Sequence, residues 1–549
     1  MTALPVRRGM AAMAAAALAT TLLSVPLTAP ASASASTGTW LVSVEPGALG
    51  GVVADLREAG VTVTRELAGV GMAVVEAPAA ALRSLTTDPR VTGVTPDSDV
   101  QMHSSTYDAR GDVNSAYNVG QVVGARGLWS RSNKLQWTGA GVDVALLDTG
   151  VTPVTGLNAP GKVVHGPDLS FDSQSASTRH LDGFGHGTHM AGLIAGKDAD
   201  ANLLDPGSSG PFIGMAPDAR VVSVKVADAW GNADVSQIVA GIDWVVQNRK
   251  SHGLNVRVLN LSLGTPSAQS SLLDPLSFAV EQAWHKGIVV VASVGNDGTG
   301  TGQLLNPARN PYVIAVGAND SKGSTSTDDD VIPDFSTRGD GTRNPDLVAP
   351  GQSLQSLRVP GSYIDEQNPT ARLGERFLRG SGTSQAAAVV SGGIALLLQQ
   401  RPSLTPEDVK YLVTSGARAL PSADKQAQGK GMLDLRKPAA TTKLSYAEQG
   451  FDKAKGTGSL DAARGGFRIE NELGIVLDGE RDIMMQAFDA TAQAAKSSMD
   501  ATWDGGSWNK SPWIGTGWSE QGWTGVAWTG TDLAGRTWAG RTWASAGWR

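Results

Sequence analysis

Seven histidines occur in 549 residues: His103, His165, His180, His186, His189, His252 and His285. A histidine general base must come from this set. Two of them stand three apart in Gly185-His186-Gly187-Thr188-His189-Met190-Ala191-Gly192. Small residues around a histidine let a substrate backbone come close, and the pattern predicts a helix beginning at His186. Acyl transfer further needs a nucleophile and an acid to orient the base. The chain has no cysteine, so a thiol nucleophile, a disulfide framework and thiolate-held zinc are excluded.

Asp148 directly follows the apolar run Val142–Leu147, in Asp148-Thr149-Gly150. A carboxylate at the carboxyl end of a buried strand suits orienting a histidine. It equally suits a strand-end turn. Asp-Thr-Gly also occurs in aspartic proteases, but there two carboxylates share a proton, and this chain has one such tripeptide. Ser384 lies in Gly380-Ser381-Gly382-Thr383-Ser384-Gln385-Ala386-Ala387-Ala388, with an apolar pattern continuing to Leu398. That places it at a predicted helix N-terminus, where N–H groups and the helix dipole stabilise an oxyanion. The ordinary alternative is an N-cap serine. Asn296 follows the run Ile288–Ala292, in Gly295-Asn296-Asp297-Gly298. Its amide is a candidate second oxyanion donor or a turn asparagine.

These residues need a scaffold. Short apolar runs at Val142–Leu147, Val221–Val226, Val256–Leu261, Ile288–Ala292 and Tyr312–Val316 alternate with helical patterns, clearest at Val235–Asn248 and Leu276–His285. This predicts an α/β domain with a parallel sheet covered on both faces, its functional residues gathered at the carboxyl ends of the strands. Residues 38–100 read as a separate small module. Strands are expected at Trp40–Val44, Val61–Glu66, Val70–Glu76 and from Val91, with helices at Leu49–Ala59 and Ala79–Leu85. The order βαββαβ is ferredoxin-like.

Both ends of the chain are distinctive. Arg7 and Arg8 precede the apolar stretch Ala11–Leu27, followed by Ala31-Ser32-Ala33 and Ala33-Ser34-Ala35. This predicts a secretory signal peptide, and Pro26 and Pro30 argue against a membrane anchor. Residues 438–500 are rich in Ala, Gly and charge, with a helix expected over Asp482–Ser497. Beyond them Trp503, Trp508, Trp513, Trp518, Trp523, Trp528, Trp538, Trp543 and Trp548 fall on a five-residue grid, with Leu533 in the missing slot. A step of five keeps neither one helix face nor one strand face. Low-complexity tail and aromatic contact with cell-wall glycans are the two readings. Against 45 Lys+Arg stand 52 Asp+Glu, which gives no electrostatic reason to expect a nucleic-acid partner.

Taken together, Asp148, His186, Asn296 and Ser384, in that order and each beside glycine, resemble the subtilisin-like serine proteases (subtilases) over roughly residues 105–437. Similar Trp-rich tails are familiar from actinobacterial subtilases. The resemblance implies a three-layer α/β/α peptidase domain with a mostly parallel sheet, preceded by a ferredoxin-like α+β propeptide. It implies Ser384 as nucleophile, His186 as general base, Asp148 as its orienting acid, and Asn296 with the Ser384 N–H as oxyanion donors. Ser262, Leu263 and Gly264 would form the substrate-binding edge, and Gly295 and Asp297 would wall the pocket for the residue before the cleaved bond. His189 would have a packing role. Two departures are visible: Gln385 stands where methionine is usual, and Ala388 where proline is usual, so a kink in the helix is not expected.

The implied organisation is a signal peptide (1–35), an inhibitory propeptide (36–104), a peptidase domain (105–437), a linker or C-terminal extension (438–500) and a Trp-repeat tail (501–549). The expected partners of this secreted monomer are protein or peptide substrates and its own propeptide, with cell-wall association through the tail. No cofactor is required. Calcium is common in the family, and Asp168, Asp172 and Asp328 to Asp330 are candidate carboxylates, but no metal site is assigned. The competing reading is a catalytically inactive cell-surface binding protein that uses the tail.

Overall fold

The computed structural model describes residues 37–97, 107–131, 134–204, 211–299, 302–442, 444, 448–469, 476–512, 517–519 and 522–524. The expected signal segment and most of the tryptophan grid lie outside them. The chain divides into two compact units, Met1–His103 and Ser104–Arg549. Among the described residues no helix is long and apolar enough to cross a membrane.

The first unit is built as its pattern predicts. Strands β1 (Gly38–Val44), β2 (Thr62–Leu67), β3 (Met72–Ala77) and β4 (Val91–Pro96) form one antiparallel sheet in the order β2-β3-β1-β4. Helix α1 (Leu49–Glu58) buries Val52, Val53 and Leu56. They meet Val42, Val75 and Leu82 in one small core. The second helical segment, Ala79–Thr87, is a 3₁₀ helix.

The second unit is a parallel sheet between helical layers. Its strands are β5 (Asp143–Asp148), β6 (Val163–Asp168), β7 (Arg220–Lys225), β8 (Val256–Leu261), β9 (Val289–Ser293), β10 (Ile314–Asn319) and β11 (Leu347–Pro350). They run in the order β11-β10-β9-β8-β5-β7-β6, with every neighbouring pair parallel. Every residue of β5, β9, β10 and β11 is buried, the signature of strands covered on both faces. The connections from β5 lead to β7 and β6 on one side and to β8 through β11 on the other. The crevice at such a reversal, at the strands' carboxyl ends, is where α/β sheets bind ligands.

Helices cover the sheet. Helix α2 is His186–Ala195, α3 Val235–Asn248 and α4 Pro275–His285. Antiparallel strands β12 (Leu354–Leu357) and β13 (Phe377–Gly380) lead into α5 (Thr383–Gln400). Helix α2 packs against α5, and α3 against α4. Local signals fix their starts. Asp234 and Gln237 form a capping box for α3, and Asp274 accepts the Leu276 and Ser277 amides just before Pro275 begins α4. Helix α5 runs unbroken through Ala388.

The region that reads as loose in sequence is packed. Leu460, Ile469, Leu477, Ile483, Trp503 and Trp508 all join the main core. Arg464, 1% exposed, pairs with Asp234 at 2.6 Å, tying the extension to the cap of α3. Asp243 on α3 accepts hydrogen bonds from Gln493, Ser497 and the Trp508 indole. The helix expected over Asp482–Ser497 is shorter: α6 spans Ala490–Ser498. Asp482 Oδ1 instead accepts the Met484 and Gln486 amides and turns the chain, and Asp489 caps the helix through the Ala492 amide.

The five-residue tryptophan step has a structural meaning where the chain is described. Trp503 lies opposite Trp508 across a tight turn at Gly505 and Gly506, and the backbone of Trp518 lies opposite that of Trp523. Residues directly opposite in an antiparallel pair share a face. A hairpin thus unites tryptophans that a single continuous strand would alternate. Trp503 also donates its indole N–H to the Ala240 carbonyl at 2.9 Å.

Candidate active site

Asp148 is the last residue of β5 at the middle of the sheet, and His186 is the first residue of α2. Both are buried. His186 Nδ1 lies 2.8 Å from Asp148 Oδ1 and 3.0 Å from Oδ2. An ionised carboxylate only accepts, so the contact fixes the proton on Nδ1 and leaves the basic lone pair on Nε2. Asp148 Oδ1 also accepts from the Thr149 amide at 2.8 Å.

The surrounding chain clamps this pair. Thr149 Oγ1 donates to Asp182 Oδ1 at 2.7 Å and accepts from the Gly187 amide at 2.9 Å. Asp182 also accepts from the amides of Gly185 at 2.6 Å and Thr188 at 2.7 Å, so one carboxylate holds the first turn of α2. Burial pushes the Asp182 carboxyl above its ordinary range, and these donors work the other way. Gly187 leaves no room for a side chain: a Cβ there would sit 2.1 Å from the Gly150 carbonyl oxygen.

Lys225, fully buried at the end of β7, ties the same junction together with two hydrogen bonds and an ion pair. It reaches the Thr149 carbonyl at 2.6 Å, the Leu181 carbonyl at 2.8 Å and Asp172 Oδ2 at 2.9 Å. Burial disfavours the ammonium, but Asp172 and Asp168 outweigh it and hold the group above its ordinary value. Of the candidate calcium carboxylates, Asp172 is therefore occupied by an internal ammonium. Asp168 accepts from Ser170 and from the His180 amide. Asp330 accepts from Asn319 at 2.7 Å. Among the described residues no group of three or more His, Cys, Asp or Glu is arranged to hold a metal.

Ser384 is the second residue of α5, and the N-cap position belongs to Gly382. The serine is thus not a capping residue. Its Oγ donates to the Ser262 carbonyl at 3.1 Å, and Ser262 Oγ donates to the Ser384 carbonyl at 3.2 Å. His186 and Ser384 stand in the first turns of two helices that pack together.

Asn296 is oriented by the residue before the serine. Its Oδ1 accepts the Thr383 amide at 2.9 Å and the Thr383 hydroxyl at 3.1 Å. With the oxygen so engaged, the amide nitrogen faces the Gly382–Ser384 turn, 3.4 Å from where a Cβ on Gly382 would lie. Two donor types therefore converge at the start of α5: a side-chain amide and first-turn backbone N–H groups.

Ser262, Leu263 and Gly264 continue from the end of β8, and Gly295 follows the adjacent strand β9. Leu263 is buried. The Gly264 and Gly295 backbones both face the side chain of Leu305. His189 is buried one turn along α2, with Nε2 3.2 Å from the Leu378 carbonyl. Burial, and then the neighbouring His186, hold it down at about 3, so it stays a neutral packing group. Asp182, Lys225, Thr383 and Leu305 were not singled out by the sequence. Asp182 lies four residues before His186 and Thr383 is adjacent to Ser384, so proximity to the motifs was their only signal.

Comparison with known proteins identifies the family. The sequence model of the subtilase family matches residues 139–458, more than half of the chain. The chain is 37% identical over 303 residues to serine protease AprX of Bacillus subtilis, covering 54% of this chain and 66% of that one. It is 35% identical over 292 residues to subtilisin Savinase of Lederbergia lenta, covering 53% and 89%. It is also 35% identical over 292 residues to an alkaline protease of Alkalihalobacillus alcalophilus, covering 53% and 63%. The match thus spans just under two thirds of the first and third of these relatives.

Proposed function

The chain belongs to the subtilase family, and on that premise we propose that it is a secreted serine endopeptidase made as a self-processing precursor. The observation that carries the reading is the buried Asp148–His186 pair, with His186 Nδ1 at 2.8 Å from the carboxylate.

Ser384 Oγ attacks the carbonyl carbon of the scissile peptide bond as His186 Nε2 takes its proton. Asp148 stabilises the imidazolium and holds its tautomer. The carbonyl oxygen becomes an oxyanion and is met by the Asn296 side-chain amide and the Ser384 N–H. As the C–N bond breaks, His186 returns the proton to the departing amine and an acyl-enzyme remains. Water, deprotonated by His186, then attacks the ester, and Ser384 leaves with its proton restored. The substrate runs as an extended strand along Ser262-Leu263-Gly264. No metal is needed for any step.

Residues 36–104 act as the propeptide, which inhibits the enzyme until it is removed. The first 35 residues direct export, and the distal tryptophan repeats contact the cell wall. Expression of Ser384→Ala, followed by mass analysis, tests this reading. The expected product is a precursor that still carries residues 38–100 and does not hydrolyse casein. Normal maturation of that variant, in a host lacking other proteases, would remove both the nucleophile assignment and self-processing.

A further inference from the structure

Gln385 directly follows Ser384 in the first turn of α5 and is wholly buried. Neither its Oε1 nor its Nε2 has a hydrogen-bond partner among the described residues. Its side chain folds back over the turn that leads into the helix. A Cβ on Gly382 would lie 2.7 Å from Gln385 Oε1 and 3.4 Å from Asn296 Nδ2. The glutamine and asparagine amides thus flank one backbone position, two residues before Ser384.

Two other buried amides show the ordinary state. Asn260 on β8 donates to Ser262 Oγ at 2.9 Å and accepts from Ser391 Oγ at 2.8 Å. Gln237 on α3 donates to the Leu169 carbonyl at 2.7 Å and accepts the Asp234 amide at 2.6 Å. An amide buried without partners is costly, and a catalytic role is one reason for a fold to keep it. Gln355 on β12 is also unpaired, but of the two only Gln385 adjoins a residue whose bonds are made and broken. Its burial does not shut it off from the chemistry, because His186 is buried to the same degree.

One end of this amide donates and the other accepts. The oxyanion only accepts, and Asn296 with the Ser384 N–H serves it. Water both donates and accepts, and it reaches the serine in the second half of the reaction, after the amine has left. From this we infer that Gln385 is a further catalytic residue, whose side-chain amide holds the water that hydrolyses the acyl-enzyme. The inference rests on the serine endopeptidase reading. The water gives one proton to His186 Nε2 as its oxygen bonds to the acyl carbon, while its second O–H donates to Gln385 Oε1. Held at both hydrogens, the water points a lone pair at the ester. The bond from the acyl carbon to Ser384 Oγ then breaks, His186 returns its proton to Oγ, and the carboxylic acid leaves with the second hydrogen.

The test separates the two halves of the reaction with trans-cinnamoylimidazole, which acylates the serine and leaves a chromophoric ester. The rate of uptake gives acylation. Decay of the acyl-enzyme, freed from excess reagent by rapid gel filtration, gives hydrolysis by water. Both are rate constants of reactive molecules and do not depend on the fraction folded. Gln385→Met and Gln385→Leu remove the amide and keep an apolar side chain of similar length. Each should slow decay by ~3- to 10-fold, the worth of one hydrogen bond, and change uptake by less than ~2-fold. A residue that only packed behind the serine would alter both steps alike, since both use Ser384, His186 and Asn296. Unchanged decay in both variants, or equal slowing or loss of the two steps, overturns the inference while leaving the protease reading intact. Failure of the wild-type protein to form any acyl-enzyme overturns the protease reading and the inference with it.

Discussion

The Thr149 hydroxyl joins the two halves of the candidate dyad: it donates to Asp182 at 2.7 Å while accepting the amide of Gly187 at 2.9 Å. Thr149 follows Asp148 and Gly187 follows His186, so the hydroxyl one residue beyond the acid and the amide one residue beyond the base fix their separation. Asp182 completes the arrangement by holding the Gly185 and Thr188 amides.

Removal of this clamp should act on turnover. Asp182→Ala leaves three buried donors without their acceptor and frees the first turn of α2. Loss of alignment should lower kcat about 10- to 100-fold with a smaller change in KM. Thr149→Val should act in the same direction, and Thr149→Ser, which keeps the hydroxyl, should restore most of the loss. Steady-state kinetics on active-site-titrated enzyme check this. Unchanged kcat in both Asp182→Ala and Thr149→Val would contradict it.

Lys225 should matter as a charge as well as a donor. Lys225→Met strands the Asp172 carboxylate and two carbonyls, and breaking a buried ion pair from one side costs about 3–5 kcal/mol. Adding Asp172→Asn to Lys225→Met should recover part of that loss. Urea unfolding of the four proteins of this cycle, in a Ser384→Ala background that prevents self-digestion, measures the coupling. Purely additive effects would argue against the pair.

The C-terminal extension should be part of the folded peptidase unit. Trp508 is fully buried, its indole donates to Asp243 at 3.0 Å, and it stacks near Phe488 with ring centroids 6.3 Å apart. Trp508→Ala should cost about 3–5 kcal/mol. Arg464→Met, which isolates the buried Asp234, should cost a similar amount. Thermal unfolding in the same background reads both, and a melting temperature unmoved by either substitution would count against the packing described.

His189 gives a pH dependence of known sign. Burial holds it near 3 in the folded protein, against about 6.5 in an unfolded chain. Above about pH 6.5 both states are neutral. Below it only the unfolded chain takes up the proton, so stability is lost as pH falls from about 6.5 towards 3, by ~1.4 kcal/mol per pH unit. Asp168, Asp228, Asp243 and Asp482 oppose this: burial raises each to about 6, so the folded state alone holds their protons between about pH 4 and 6. The comparison of His189→Gln with its parent isolates the histidine. The variant's stability should fall less steeply below pH 6, and an equal slope would exclude the assignment.

The sequence made the chemistry-bearing residues legible because each sits at a junction with a strong local signal. Asp148 ends a buried strand whose four preceding residues, Val144 to Leu147, are apolar, and Ser384 opens a long apolar helix after glycines. The tie between Thr149 and Asp182 was not legible, since it depends on how two loops meet in space. Nor was the burial of Lys225, because a single lysine at a strand end gives no sign of three convergent acceptors. The extension misled for a different reason: its apolar residues are too sparse to show a period, yet they fill gaps along α3 and α4. The tryptophan repeat fits neither a helix period nor a single strand's because Trp503 and Trp508 meet across a two-glycine turn.

The proposed mechanism makes Ser384 the nucleophile activated by His186 and Asp148. Reaction of the mature protein with a fluorophosphonate, followed by peptide mass mapping, tests it most directly. One adduct per chain on Ser384, lost in His186→Ala and slowed in Asp148→Asn, is the predicted result. A stoichiometric adduct on another residue, or full peptidase activity after Ser384 has been replaced by alanine, would contradict it.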